Sequence, residues 1–180
     1  GSFTKTGAGK LRFSGANTFT GATFITGGIL ELAGTNTYTG ATTISGGGEL
    51  LVTFGSVTGN IATDDGSTSG SVVFNQSGPV TYGGVISGSG TFEVAGGSVT
   101  LTGTNTLSGN TSVSGNLLLS SGGSLAGSVD VQSGGNLAGD VVGLTSGSIG
   151  GAVTIHSGAG LQSVSGTTTL TTGALSFEAG

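Results

Sequence analysis

The chain has 180 residues, 41 of them Gly, with 34% hydrophobic and 6% charged residues and a formal net charge of -5 at pH 7. Lys5, Lys10 and Arg12 are its only Lys and Arg, so nothing after residue 12 neutralises a phosphate backbone; no nucleic acid is expected as a partner, and the acidic balance argues against docking on anionic lipid. The absence of Cys excludes disulfides, thiol catalysis and thiolate metal sites, and the longest aliphatic string, around Leu117-Leu118-Leu119, is far short of the roughly 18 apolar residues of a membrane helix, so no direct membrane insertion is expected.

No signal peptide opens the chain, and Gly1-Ser2 resembles the residue of tag cleavage, so the sequence reads as an excised fragment whose targeting information lies outside it. From residue 5 to 54 one unit repeats in tandem: Gly15-Ala-Asn-Thr-Phe-Thr-Gly-Ala-Thr-Phe-Ile-Thr-Gly-Gly28 returns as Gly34-Thr-Asn-Thr-Tyr-Thr-Gly-Ala-Thr-Thr-Ile-Ser-Gly-Gly47, a step of nineteen residues. Self-similarity of this period is the signature of stacked equivalent units. Before each motif lies an L-x-L segment, Leu11 and Phe13 or Leu30 and Leu32, whose middle residues Arg12 and Glu31 are charged, as in a strand with one face on a core and one in water. A Gly-x-Asn corner follows, then a lone large residue, Phe19 or Tyr38, then a T-x-I strand ending on Ile25 or Ile44, and a Gly-Gly pair. Three short strands and three corners in about twenty residues predict a triangular coil, with Gly supplying positive φ at the corners.

From Gly55 to Gly70 the pattern loosens, which predicts an exposed loop or irregular coil containing Asp64-Asp65-Gly66. Alternation returns at Val72 and Phe74, Val80 and Tyr82, Phe92 and Val94, and Val99 and Leu101, with Pro79 expected at a strand start or corner because it lacks a donor hydrogen. A looser third copy, Gly103-Thr-Asn-Thr-Leu-Ser-Gly-Asn-Thr-Ser-Val-Ser-Gly-Asn116, carries Leu107 and Val113. From Gly34 to Gly103 the spacing is close to three coils, which predicts equivalent side chains on the same side of the stack. Beyond Gly115 the period is twelve: Leu117-x-Leu119, Val129-x-Val131, Val141 and Val153-x-Ile155 share one register, and Leu125, Leu137, Ile149 and Leu161 another. Two such units predict one coil, and from Gly166 the register drifts through Leu170, Leu175 and Phe177. A flexible Gly/Ser/Thr linker would not hold Val and Leu at alternate positions. The expectation is therefore one domain over 1–180: tandem repeats in 1–54, irregular coils in 55–98, and the third copy with the shorter repeats in 99–180.

Two stretches carry a family resemblance, Lys5-Thr-Gly-Ala-Gly-Lys-Leu-Arg-Phe-Ser-Gly-Ala-Asn-Thr-Phe-Thr-Gly-Ala-Thr23 and Leu30-Glu-Leu-Ala-Gly-Thr-Asn-Thr-Tyr-Thr-Gly-Ala-Thr-Thr-Ile-Ser-Gly-Gly47. They resemble the passenger-associated repeat of bacterial type V autotransporters, and the stretch Val73 to Gly90 is similar to what precedes such repeats. The resemblance implies a right-handed parallel β-helix, an all-β solenoid with three short strands per coil, each coil taking roughly 19 to 24 residues. It further implies display at the surface of a Gram-negative bacterium, or secretion, through a C-terminal barrel lying outside this sequence, in service of adhesion, aggregation or biofilm formation. A chain that crosses a pore unfolded and stacks coil upon coil as it emerges is helped by having no disulfides.

No catalytic, cofactor or metal residues are assigned. His156, the only histidine, falls in the polar slot after Val153-x-Ile155, matching Gln132 two twelve-residue units earlier, and no sequence pattern supplies it with partners. Carbohydrate-active β-helix enzymes form the rival class and use clustered carboxylates, or a carboxylate with Arg or Lys. Asp130 and Asp140 do not share a column at a twelve-residue register, Glu31 and Glu49 are out of step at nineteen, and the cations Lys5, Lys10 and Arg12 sit in the first coil. Asp64-Asp65 reads as a solvated turn, with a weak calcium site as the sharper alternative. Outward Thr, Ser and Asn columns, including Thr42, Thr100 and Thr154, leave two readings open: hydrogen-bonding ladders toward a second copy, a surface glycan or a protein partner, or, more commonly, Thr serving simply as a good strand former. Gly-x-Gly groups are not phosphate loops, since no helix follows them.

Overall fold

The computed structural model describes residues 1–55, 57–120, 122–139, 148–163 and 172–178. Asp140, Val141, Gly166 and Leu170, placed in register above, lie outside the described residues. The fold is a parallel β-solenoid without a helix among those residues, and every strand pair is parallel. Its longest face runs through Lys10–Phe13, Ile29–Leu32, Glu49–Val52, the first halves of Ser71–Tyr82 and Thr91–Leu101, then Thr111–Val113, Val129–Val131, Val153–Ile155 and Leu175–Phe177. Nine rungs on one face make about eight turns, with Phe13, Leu32, Val52, Phe74, Val94, Val113, Val131, Ile155 and Phe177 as successive partners. The coils are unequal: the step from Val113 to Val131 is the shortest and the step from Val131 to Ile155 the longest.

A second face stacks Phe3–Lys5, Thr23–Ile25, Thr42–Ile44, Ile61–Ala62, Ile86–Gly88 and Thr106–Leu107, and Ser124–Leu125 and Ser148–Ile149 follow as a two-stranded continuation. The third face is a strand ladder only from the middle of the stack, through the second halves of Ser71–Tyr82 and Thr91–Leu101, then Asn116–Leu119, Asn136–Gly139 and Gly160–Ser163. In the tandem coils this side is not a strand. It is held instead by side chains: Asn17 Nδ2 donates to Asn36 Oδ1 at 2.6 Å, Asn36 Nδ2 to the carbonyl of Gly34 at 2.7 Å, and the Phe19 and Tyr38 rings stack at 4.7 Å. The expected third strand of the repeat is thus an amide ladder with an aromatic stack beneath it.

Alternation places one side chain in two inside, and the inner ones form continuous columns. Leu30, Leu50, Val72, Phe92, Val129 and Val153 are buried in one, and Leu32, Val52, Phe74, Val94, Val113, Val131 and Ile155 in the next. Phe74 meets Phe92 edge-on at 5.8 Å and Tyr82 at 5.9 Å in the middle of the core. Each such side chain contributes about 1.5 to 3 kcal/mol on burial, which sustains a stack that no single coil would.

Several register expectations are corrected. Thr43, Ala62, Ser87 and Thr106 are successive partners, so three coils close sooner than the spacing from Gly34 to Gly103 requires. The third copy therefore arrives one side late: Gly103 packs over the column of Gly40, Gly59 and Gly84, and Val113 joins the column of Leu32, not that of Ile44. Val129 does stack on Val153, two twelve-residue units on, whereas Leu117 pairs with Leu137 on another face; Leu125 pairs with Ile149 and Leu137 with Leu161, again on two faces. The stretch 57–63 is an integral coil with Val57, Ile61 and Thr63 buried and Thr58 and Asn60 exposed between them, and the continuous exposed run is residues 65–69. Pro79 sits exposed within Ser71–Tyr82, beside an irregularity where that strand turns from one face to the next. Thr42 is buried, because it shares the parity of Ile44, and its hydroxyl meets Tyr38 Oη at 3.3 Å.

Glycine has two structural reasons. The Gly-Gly corners use positive φ, 63° at Gly28 and 70° at Gly47, as expected. Gly40, Gly59, Gly84 and Gly103, and the column Gly70, Gly90, Gly109, Gly127 and Gly151, lie outside that region; a β-carbon at any of them would run into backbone atoms, nearly always a carbonyl, of the coil next to it.

Candidate functional site

The place where ionisable groups converge is on the outward side of the longest face, across three successive coils. Val129–Val131, Val153–Ile155 and Leu175–Phe177 are in register, so Asp130, Thr154 and Ser176 share one outward column. Gln132, His156 and Glu178 follow each strand by one residue and form the adjacent column; the amide of His156 donates to the Val131 carbonyl and that of Glu178 to the Ile155 carbonyl. His156 Nε2 lies 2.6 Å from Asp130 Oδ1, its Nδ1 lies 2.7 Å from Glu178 Oε2, and Gln132 Nε2 donates to the other Asp130 oxygen at 2.8 Å.

A ring with a carboxylate on each nitrogen is held as the imidazolium, the only form with two N–H donors. The His156 pKa is raised, first by the Asp130 hydrogen bond, against desolvation, and then by the Asp130 and Glu178 charges. Neither ring nitrogen is free to accept a proton from a substrate, and the two carboxylates flank the ring instead of converging with it on one point. The arrangement binds coils together. His156 has partners that the sequence did not reveal, because they lie on the coil before it and the coil after it, at unequal steps that no fixed period joins.

The other charged cluster is at the opposite end. Glu31 accepts from Lys10 Nζ at 3.2 Å and Arg12 Nε at 3.1 Å, and from Thr53 Oγ1 at 3.4 Å. Desolvation pushes its pKa up, and the two cations outweigh that and leave it lowered. Lys5 is buried, with its ammonium on the carbonyls of Thr6, Gly7 and Gly27 at 2.8, 2.7 and 3.0 Å. All three cations are thereby engaged within the protein.

Asp64 and Asp65 point to different partners. One oxygen of Asp65 accepts from the amides and hydroxyls of both Ser67 and Thr68, at 2.8 to 3.3 Å, while Asp64 accepts from the Ser89 amide at 2.5 Å. Backbone donors, that of Thr68 first for Asp65 and that of Ser89 first for Asp64, lower both pKa values. This is the chemistry of a turn whose donors already occupy the carboxylates. Among the described residues no three His, Cys, Asp or Glu side chains are grouped to hold a metal ion. A cleft of about 450 Å³ lies between Phe54, Gly55, Gln76 and Pro79, and the Gln76 amide beside it donates to the Gly55 carbonyl at 3.1 Å. Thr100 and Thr154 stand on outer surfaces, half-buried between neighbours.

No helix among the described residues is long and apolar enough to cross a membrane. Residues 3–32 and 28–52 match the family model described as passenger-associated-transport-repeat, which covers the tandem coils. No curated protein and no solved structure matches the chain.

Proposed function

We propose, since residues 3–32 and 28–52 match the passenger-associated-transport-repeat model, that the chain is a stalk segment of a cell-surface autotransporter passenger, projecting or presenting a region that serves adhesion or self-association. The observation that supports this most is the pair of columns of buried side chains, from Leu30 to Val153 and from Leu32 to Ile155, in an element about eight turns long. Such a stack is a spacer by its mechanics: each coil is fixed by its two neighbours, and length grows by about 4.8 Å per turn. Among the described residues Lys5, Lys10, Arg12, Glu31, Asp64, Asp65, Asp130, His156 and Glu178 are spent on one another, on backbone or on neighbouring polar side chains, which is the use a structural element makes of them. The surface of a Gram-negative cell, or release from it, is the setting this reading gives the protein.

The test is to display the chain on a Gram-negative cell through a fused outer-membrane barrel. Surface labelling of the repeats together with cell clumping or adhesion that depends on them would support the proposal; a full-length sequence with no secretion signal and no barrel-forming segment would overturn it. For the binding part of the reading, in which Ser, Thr and Asn columns meet a second copy or a glycan, sedimentation as a monomer at high concentration with a blank glycan array would be the adverse result. The rival reading, a carbohydrate-active enzyme, needs turnover of acidic or neutral polysaccharide to gain support.

A further inference from the structure

We propose that Asp130, His156 and Glu178 form a proton-operated clasp, which tightens the coil of residues 172–178 onto the stack while His156 is charged and loosens it when the ring becomes neutral. Burial contributes little to retaining this coil. Its inward residues Leu175 and Phe177 are 47% and 67% exposed, where their counterparts one coil earlier, Val153 and Ile155, are buried. Among the described residues its backbone is tied by the parallel ladder that pairs Val153 with Leu175, Thr154 with Ser176 and Ile155 with Phe177, and at its margins by bonds from Val153 to the Ala174 carbonyl, from Gly173 to the Gly151 carbonyl and from Glu178 to the Ile155 carbonyl. Its side-chain links are the Ser176 hydroxyl, 3.3 Å from Thr154 Oγ1 and 3.5 Å from the Val153 carbonyl, and the charged one, the ring of His156 with a carboxylate from the coil on either side, Asp130 at 2.6 Å and Glu178 at 2.7 Å.

Deprotonation leaves the ring one N–H for two carboxylates. The two carboxylates are not equal competitors for it. Asp130 has the smaller exposure, 32% against 57%, and is fixed by Gln132 through its second oxygen, so the remaining hydrogen stays on Nε2 and Glu178 is left facing a lone pair. Asp130 and Glu178 are the titratable groups that face the ring among the described residues; the neighbouring outward side chains are Gln132, Thr154 and Ser176, which do not titrate in this range. Because the folded-state pKa is raised, the clasp contributes fully below the ordinary histidine value and is lost as pH rises through the raised one. Acid tightens this coil and alkali loosens it, opposite to the carboxylate-bearing turns.

The single histidine makes the test direct, because one imidazole signal reports the titration. Amide protection would be followed at Glu178 and Gly173, with Ser114, whose amide donates to Val94 in the middle of the stack, as the control. Protection at Glu178 should fall about 3- to 10-fold as pH crosses the His156 titration, tenfold being one pKa unit of differential interaction, while Ser114 stays level. His156→Gln should remove the step, and the stack should accept it, since Gln132 holds the same place one coil earlier. Glu178→Gln, at an exposed position, should lower the imidazole pKa without unfolding anything. A His156 pKa at the ordinary value and unmoved by Glu178→Gln or Asp130→Asn, or unchanged Glu178 protection across the titration, would overturn the clasp.

Discussion

Gly109 and Gly15 are both motif glycines, the second of the third copy and the first of the first copy, and occupy opposite situations in space. A β-carbon at Gly109 would collide with the Gly90 backbone of the adjoining coil, whereas one at Gly15 meets nothing within 4 Å and its φ is outside the left-handed region. Gly109→Ala should therefore cost about 1 to 3 kcal/mol, since backbone cannot yield as a flexible side chain would, while Gly15→Ala should be neutral or slightly stabilising by restricting the unfolded chain. Denaturant midpoints of the two variants decide it; equal shifts would mean that the coils are not in van der Waals contact at this corner. The sequence shows that both sites are Gly but not why, because the atom that forbids a β-carbon belongs to a residue on another coil. The inward place of Thr42 was legible, by contrast, from its two-residue spacing to Ile44. A titration belongs to the same scale: Asp65, with its pKa lowered by the Thr68 and Ser67 donors, stabilises its turn above the ordinary carboxylate pKa and loses that contribution as pH falls through the lowered value. Asp65→Ala should remove this acid-side dependence from the exchange of the Thr68 amide, and its persistence would show that another group carries it.

Strands of three or four residues have no stability of their own, so what an element contributes is its parity. Leu119, Val131 and Ile155 point inward and are buried, while Thr100 and Thr154 alternate with inward neighbours and reach solvent. Aspartate at any of the first three should cost several kcal/mol for an unpaired buried carboxylate, and at Thr100 or Thr154 within about 0.5 kcal/mol. Melting curves that shift equally for both sets would put the in-and-out phase in error. Parity and parallel stacking were readable because they are local to each short run. The choice of face was not. Coil length varies between the short step from Val113 to Val131 and the long one from Val131 to Ile155. A side held by an Asn ladder, as at Asn17 and Asn36, is also indistinguishable in the sequence from a strand of similar length. The third copy of the motif, displaced by one side, records how a small difference in each coil accumulates over three.

A solenoid distributes its stability along one axis, with each coil depending on two neighbours and the outermost on one. The middle of this stack is the best covered: Val94, Val99, Leu101, Val113, Leu117, Leu119 and Val131 are fully buried, and the strands Ser71–Tyr82 and Thr91–Leu101 continue without a break across two faces. Toward the first coil Leu11 is 37% exposed, and the coil is held by the rings of Phe3, Phe13 and Phe19, with Phe3 5.1 Å from Phe13, and by the buried Lys5 ammonium. Toward the last, Leu175 and Phe177 are more exposed, and the pH-dependent link through His156 stands in for an aromatic cluster. Local opening should follow this gradient and its asymmetry. Hydrogen exchange is expected to be slowest between Val94 and Val131, faster in the coil of Lys10–Phe13, and fastest in the coil of Leu175–Phe177, where raising the pH through the His156 titration should widen the gap after correction for intrinsic exchange. Uniform protection from Leu11 to Phe177 in a demonstrated monomer would contradict the one-dimensional account, since it requires the outermost coils to be as strongly held as those with a neighbour on each side.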